Sequence, residues 1–289
     1  MKQMTTPPAD IPYIDRHRAV VNSKTSTVKG EINQTKLNLL GLDNNITNRY
    51  VAFEESIANN TLFEFPENVA LQQHKDDLLS CYIGHTARVK DIFTLIKDSQ
   101  PSRFLKKCPY CGITLPKTHD HYLPEARYPE LAVHVLNLIP CCGSCNQVKS
   151  AGWKNESHRT FIHFYSDQLP SSQYLLVTLR TNNTDNALGA TFSLHQPQGI
   201  DTSIWNIITA HYNKLKLIEQ YNEIANDEIA EILEISRAYL CEGGTNISGF
   251  LNRIITNEEA LYGCNHWRVA LMKALSSSNQ FITAVEAAN

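Results

Sequence analysis

Two cysteine pairs constrain this chain more than anything else in it. Lys107-Cys108-Pro109-Tyr110-Cys111-Gly112 and Cys142-Gly143-Ser144-Cys145 each carry the C-x-x-C spacing. Such a turn lets two thiolates converge on one tetrahedral ion, and two turns supply the four ligands that close its shell. A closed shell leaves no position for water. The expectation is therefore a structural Zn2+ held by Cys108, Cys111, Cys142 and Cys145. Gly112 and Gly143 suit the tight backbone of the two knuckles. Cys141 adjoins the second pair and could substitute for Cys142, at a spacing one residue longer. A redox dithiol is the rival reading of either pair taken alone.

Sequence context favours metal over disulfides. Residues 1–18 contain no continuous apolar stretch of the kind that forms a secretory signal, and no apolar run approaches the roughly 20 residues that span a bilayer. A cytoplasmic protein without a membrane segment is the expectation. With 289 residues, 42% hydrophobic and 19% charged, the chain is long enough for a full core and lacks the bias of a collagen-like or disordered sequence.

Hydrophobic periodicity predicts an α+β fold in three parts: a mainly helical region over 1–100, a central module over 101–165, and a hairpin followed by helices over 166–289. Residues 1–30 read as irregular. A helical stretch runs from Leu37 to Ile57, interrupted near Gly41–Asn45, and Leu62–Pro66 is a connector. Leu78, Tyr82, Thr86, Val89, Phe93 and Ile96 predict one amphipathic helix over Asp76–Lys97. Tyr174–Arg180 and Ala190–His195 read as strands joined by the polar link Thr181–Asn186. Helices follow from Thr202, broken at Gly243-Gly244 and resuming over Ile247–Ile255 and His266–Leu275. These stripes carry no chemistry of their own.

The chemistry lies between and just after the cysteine pairs. Thr118-His119-Asp120-His121-Tyr122-Leu123-Pro124 and Leu136-Asn137-Leu138 stand between them, and Asn146-Gln147-Val148-Lys149 follows. The ordered set C-x-x-C, D-H-x-x-P, N-L, C-x-x-C-N-x-x-K resembles the four-cysteine, zinc-containing branch of the HNH (ββα-metal) endonuclease family. The resemblance covers roughly residues 108–153. It implies a ββα module and metal-dependent hydrolysis of phosphodiester bonds, with DNA favoured over RNA. His121 would be the general base, since an imidazole titrates near neutral pH. Asp120 and Asn146 would hold a catalytic Mg2+ or Mn2+ through hard oxygen atoms. Asn137 would orient the histidine by hydrogen bonding. HNH proteins of this kind often work beside ATPases in bacterial systems that restrict phage, so an ATPase partner and antiviral defence are expectations by analogy.

The residues themselves leave rivals open. Strand alternation puts His119 on the face of His121, as a second candidate base or phosphate contact. Asp120 and His121, being neighbours, can serve one site only at a strand end or on distorted backbone. Net charge is −3, yet residues 101–160 carry eight Lys and Arg against four Asp and Glu. That local excess suits phosphate contact, and Lys106, Lys107, Arg127 and Lys149 are the expected nucleic-acid contacts. A helix after Asn146 could also present its N-terminus to phosphate. His134, His158 and His163 read as ordinary surface or satisfied core residues, and Tyr122 and Trp153 as packing. The alternative function is a non-catalytic, zinc-dependent nucleic-acid-binding or partner-docking module. That alternative requires the cysteines and basic residues but not Asp120, His121 and Asn146.

Overall fold

The computed structural model describes residues 1–181 and 188–287. It is mixed helix and small sheets, in two compact units: Gln3–Asp167, and Gln168–Asn289 with Met1–Lys2. Residues 101–165 thus pack within one unit together with the helices that precede them. Among the described residues no helix is long and apolar enough to cross a membrane.

The 3–167 unit begins with α1 (Tyr13–Ser23), where an irregular segment was expected. Tyr13, His17, Val20 and Val21 are its buried face, spaced as one helical stripe, and Asp15 sits in the first turn where the helix dipole favours an anion. The ribbon β1 (Thr27–Val28) and β2 (Glu31–Ile32) follows, then α2 (Gln34–Gly41) and α3 (Asp43–Ala58), which break at Leu42. After α4 (Val69–Gln72), the single helix expected over Asp76–Lys97 is two, α5 (Lys75–Leu79) and α6 (Ala87–Asp98). Between them Gly84 and His85 take positive φ, +82° and +42°, which no continuous helix accommodates. Strands β3 (Thr118–His121) and β4 (Leu138–Cys141) pair antiparallel, with Asp120 opposite Ile139 and His121 opposite Leu138. Helix α7 (Gly143–Lys149) follows directly and packs on β3.

In the other unit, β5 (Leu175–Thr181) and β6 (Leu188–Leu194) form a hairpin. Residues Asn182–Asn186 of the expected link lie outside the described residues. The helices are α8 (Thr202–Leu215), α9 (Leu217–Cys241), α10 (Ile247–Tyr262), α11 (Trp267–Ser276) and α12 (Asn279–Glu286). Strand β6 lies on α9 and β5 on α11. Buried Asn265 clamps the hairpin by accepting from the backbone N–H groups of Tyr174 and Leu175, at 2.7 and 3.0 Å. Helix α10 runs seven residues beyond the expected Ile255, and α12 was not expected at all.

Several buried histidines link the 3–167 unit to pH. His163 donates from Nε2 to the Leu136 carbonyl at 3.0 Å and accepts at Nδ1 from Ser166 Oγ at 2.7 Å, so it sits as a neutral imidazole. His17 is buried with neither ring nitrogen bonded to protein. Burial pulls both down to about 4. An unfolded imidazole titrates near 6.5. Between these values the unfolded chain binds more protons, so stability is complete above about pH 6.5 and is lost as pH falls towards 4. His17→Phe removes one such group. It should raise the melting temperature more at pH 5 than at pH 7.5; an equal change at both would contradict the assignment.

Candidate metal centre and catalytic recess

The two knuckles meet. The Sγ atoms of Cys108, Cys111, Cys142 and Cys145 lie within 4.8 Å of one another, and all four residues are buried. The first turn is closed by Gly112 N–H donating to the Cys108 carbonyl at 2.7 Å, with Gly112 at φ +71°. Backbone N–H groups point at sulfur: Cys142 to Cys108 Sγ at 3.3 Å, Cys145 to Cys142 Sγ at 3.5 Å, and Ile113 to Cys111 Sγ at 3.5 Å. Four buried thiols at this separation cannot all ionise against one another unless a cation sits among them. The donor set therefore fits a structural metal such as zinc, with no position left for water. Cys141 is outside the cluster. Its side chain turns to Thr118 Oγ1, 3.3 Å away across the hairpin, so it does not substitute for Cys142.

Around the end of β3 a recess of about 350 Å³ is lined by Tyr82, His119, Asp120, His121, Glu125, Asn146 and neighbours. His121 is the last residue of its strand, which is why both it and Asp120 border one recess despite pointing to opposite sides. Its ring is fixed. Nε2 lies 2.8 Å from the Ala132 carbonyl oxygen, which can only accept, so Nε2 carries a proton. Nδ1 is 3.3 Å from Glu125 Oε2, and the Tyr82 ring packs edge-on at 4.5 Å. Burial lowers the His121 pKa, against the opposing charge of Glu125 and the bond to Ala132.

The other expected site residues fall out differently. Asn137 does not hydrogen-bond to the His121 ring. It is fully buried, accepts from Leu123 N–H at 2.7 Å, and donates to the Leu123 and Leu131 carbonyls at 3.1 and 3.2 Å. Its bond to the Leu131 carbonyl pins the turn that presents the neighbouring Ala132 carbonyl. His119 shares the recess but stacks on Phe93, 4.0 Å between centroids and 7° between planes. Burial, and then the charges of His85 and His121, pull it down to about 4.

Lys149 is a correction. Expected as a phosphate contact, it is 2% exposed. Its Nζ lies 3.0 Å from Asp120 and donates to the His121 carbonyl at 2.8 Å. Burial draws its pKa down while Asp120 opposes the shift. Asp120 also accepts from Tyr110 OH at 2.7 Å, so both carboxylate oxygens already have protein donors. Asn146 is not an N-cap and no helix starts after it: α7 starts at Gly143, capped by the Cys142 thiol. That terminus is capped from within the cysteine cluster. Asn146 faces the recess, with Nδ2 3.5 Å from Thr118 Oγ1. Arg127 is paired with Glu67, and Lys107 donates to the Ile113 carbonyl at 3.1 Å; Lys106 is exposed. Tyr122 and Trp153 are packed core. Sequence reasoning missed Glu125, Tyr82, Tyr110 and the Ala132 carbonyl. Glu125 lies four residues beyond His121, across the turn at Leu123-Pro124, and was the one of these that local spacing could have signalled; the others meet the site through tertiary packing.

No protein-family model matches the chain, and no solved structure matches it. Over 65 residues it is 52% identical to Protein ea31 of Escherichia phage lambda, a segment that is 22% of this chain and 22% of that protein.

Proposed function

We propose that the protein is a metal-dependent endonuclease of the HNH type, hydrolysing phosphodiester bonds of nucleic acid, DNA before RNA, at the recess around His121. The observation that carries this reading is the fixed ring of His121. An imidazole whose Nε2–H is held by a backbone carbonyl is fixed in orientation; burial favours its neutral form, and Nδ1, beside Glu125 at the wall of the recess, is then the nitrogen that a general base requires. A strand, a strand and a helix framed by four thiols supply the rigid support.

The donor chemistry of the recess suits a hard divalent cation: the amide oxygen of Asn146, the carboxylate of Glu125 and the remaining lone pairs of Asp120. These residues would hold Mg2+ or Mn2+, which when bound would supply Lewis acidity towards phosphoryl oxygens. His121 then removes the proton from water at Nδ1. Asn137 keeps the Ala132 carbonyl in place, and Lys149 keeps the end of β3 in place through the His121 carbonyl.

A second reading has one observation in its favour. The engagement of both Asp120 oxygens by Lys149 and Tyr110 suits a zinc-stapled binding module as well as an enzyme. Incubation of the purified protein with supercoiled plasmid separates the two. Nicked and linear products that need Mg2+ or Mn2+ support the enzyme, whereas retention of DNA without strand breaks supports the module. Because burial lowers the His121 pKa, the acid limb of kcat/KM should fall below about pH 6.5. A limb above that value would move the base role to another group.

A further inference from the structure

Beside the catalytic recess lies a larger cleft of about 790 Å³, walled by the end of α6, the segment 101–106 and the stretch Leu115–His119. We propose that this cleft is the track of an unpaired nucleic-acid strand, its phosphates meeting Lys97, Arg103 and Lys106 while the chain continues past His119 to His121. The proposal rests on the phosphodiesterase reading for its direction and names the substrate form that reading leaves open.

Three observations converge on it. Lys97, Arg103 and Lys106 are exposed and line the cleft, with Asp98 the one acidic residue among its lining residues. In a chain of net charge −3 such a local excess is not a consequence of composition. Next, the cleft and the catalytic recess share His119 in their walls, so a polymer seated in one is led to the other. Finally, size selects the form. About 790 Å³ is the volume of a small-molecule site, roughly 300–1,000 Å³. It accepts a few unstacked nucleotides and not the body of a duplex. The Phe93–His119 stack in its wall adds the aromatic surface on which unpaired bases pack, and basic grooves with such platforms are how single strands are held.

An acidic protein segment is the competing occupant. Fluorescence anisotropy decides, using a labelled single-stranded DNA oligonucleotide, the same sequence as duplex, and a labelled poly-glutamate peptide, without added divalent cation so that nothing is cut. The triple variant Lys97→Glu/Arg103→Glu/Lys106→Glu is compared with wild type and with Arg180→Glu/Lys214→Glu/Arg253→Glu, which has the same net charge. Wild type and the second variant should bind the single strand more tightly than the duplex. The first variant should lose at least tenfold in affinity. Its salt slope should fall by about 2, at roughly 0.7 for each phosphate of a single strand that is no longer neutralised. Equal loss in both variants, preference for duplex, or peptide binding as tight as the single strand would overturn the proposal. Strand binding without cleavage under Mg2+ leaves the cleft standing and removes the catalytic reading. Cleavage that the cleft variant leaves intact does the reverse.

Discussion

Removing the metal should unfold the 3–167 unit. Structural zinc contributes on the order of 10 kcal/mol to zinc-finger peptides at neutral pH, as much as the whole stability of an ordinary domain. Here the four thiols hold the start of the 108–121 segment against the start of α7, and α7 in turn carries Asn146 and Lys149 to the end of β3. Purified protein should contain one zinc per chain. Cys108→Ser with Cys142→Ser should lose it, with a fall in melting temperature large enough to leave little folded protein at 37 °C. Cys141→Ser is the control, since Cys141 lies outside the cluster; it should retain one zinc. Loss of metal from Cys141→Ser but not from the double variant would overturn the ligand set.

Lys149→Met should cost about 3–5 kcal/mol, because it leaves the buried Asp120 carboxylate without its cation. Exposed lysines that meet phosphate behave otherwise: their loss weakens nucleic-acid binding and leaves the fold untouched. Lys149 is buried, bridges Asp120 and the His121 carbonyl, and belongs to the first kind. Adding Asp120→Asn to Lys149→Met removes the stranded charge and keeps an acceptor for Tyr110 OH. The double variant should therefore recover much of the stability lost by the single one. Chemical denaturation of the single and double variants measures the coupling. A Lys149→Met protein as stable as wild type would return the residue to the surface role.

What could be read in the sequence was what is local. The four-cysteine cluster follows from C-x-x-C turns, which are short enough that spacing alone sets the geometry of each pair. His121 at a strand end is likewise local, since Leu123-Pro124 stops the strand. The strands of the second hairpin were legible to within one or two residues at each end. Lys149 was misread because a lysine one turn beyond a knuckle looks the same in sequence whether it meets solvent or Asp120. The difference is made by β3 packing on α7. The lock on His121 comes from a backbone carbonyl, which no residue type announces. Asn137 was expected to orient the imidazole, yet its hydrogen-bond partners are the backbone of Leu123 and Leu131. Helix α1 was hidden by the polar and charged residues on its exposed face, and the α5–α6 break by a stripe that continues through Gly84 and His85 without regard to their positive φ.

Catalysis as proposed depends on His121 being the base of a phosphodiester hydrolysis, and single-turnover cleavage of a DNA substrate under Mg2+ by wild type, His121→Ala and His119→Ala is the decisive experiment. All three proteins must be shown to retain zinc and to melt at similar temperatures. Loss of a positioned general base costs about 10²–10⁴ in rate. The expected result is a decrease of that size in His121→Ala and a change of less than tenfold in His119→Ala. Wild-type cleavage that survives His121→Ala, or folded, zinc-loaded wild type that cuts nothing, would contradict the proposal.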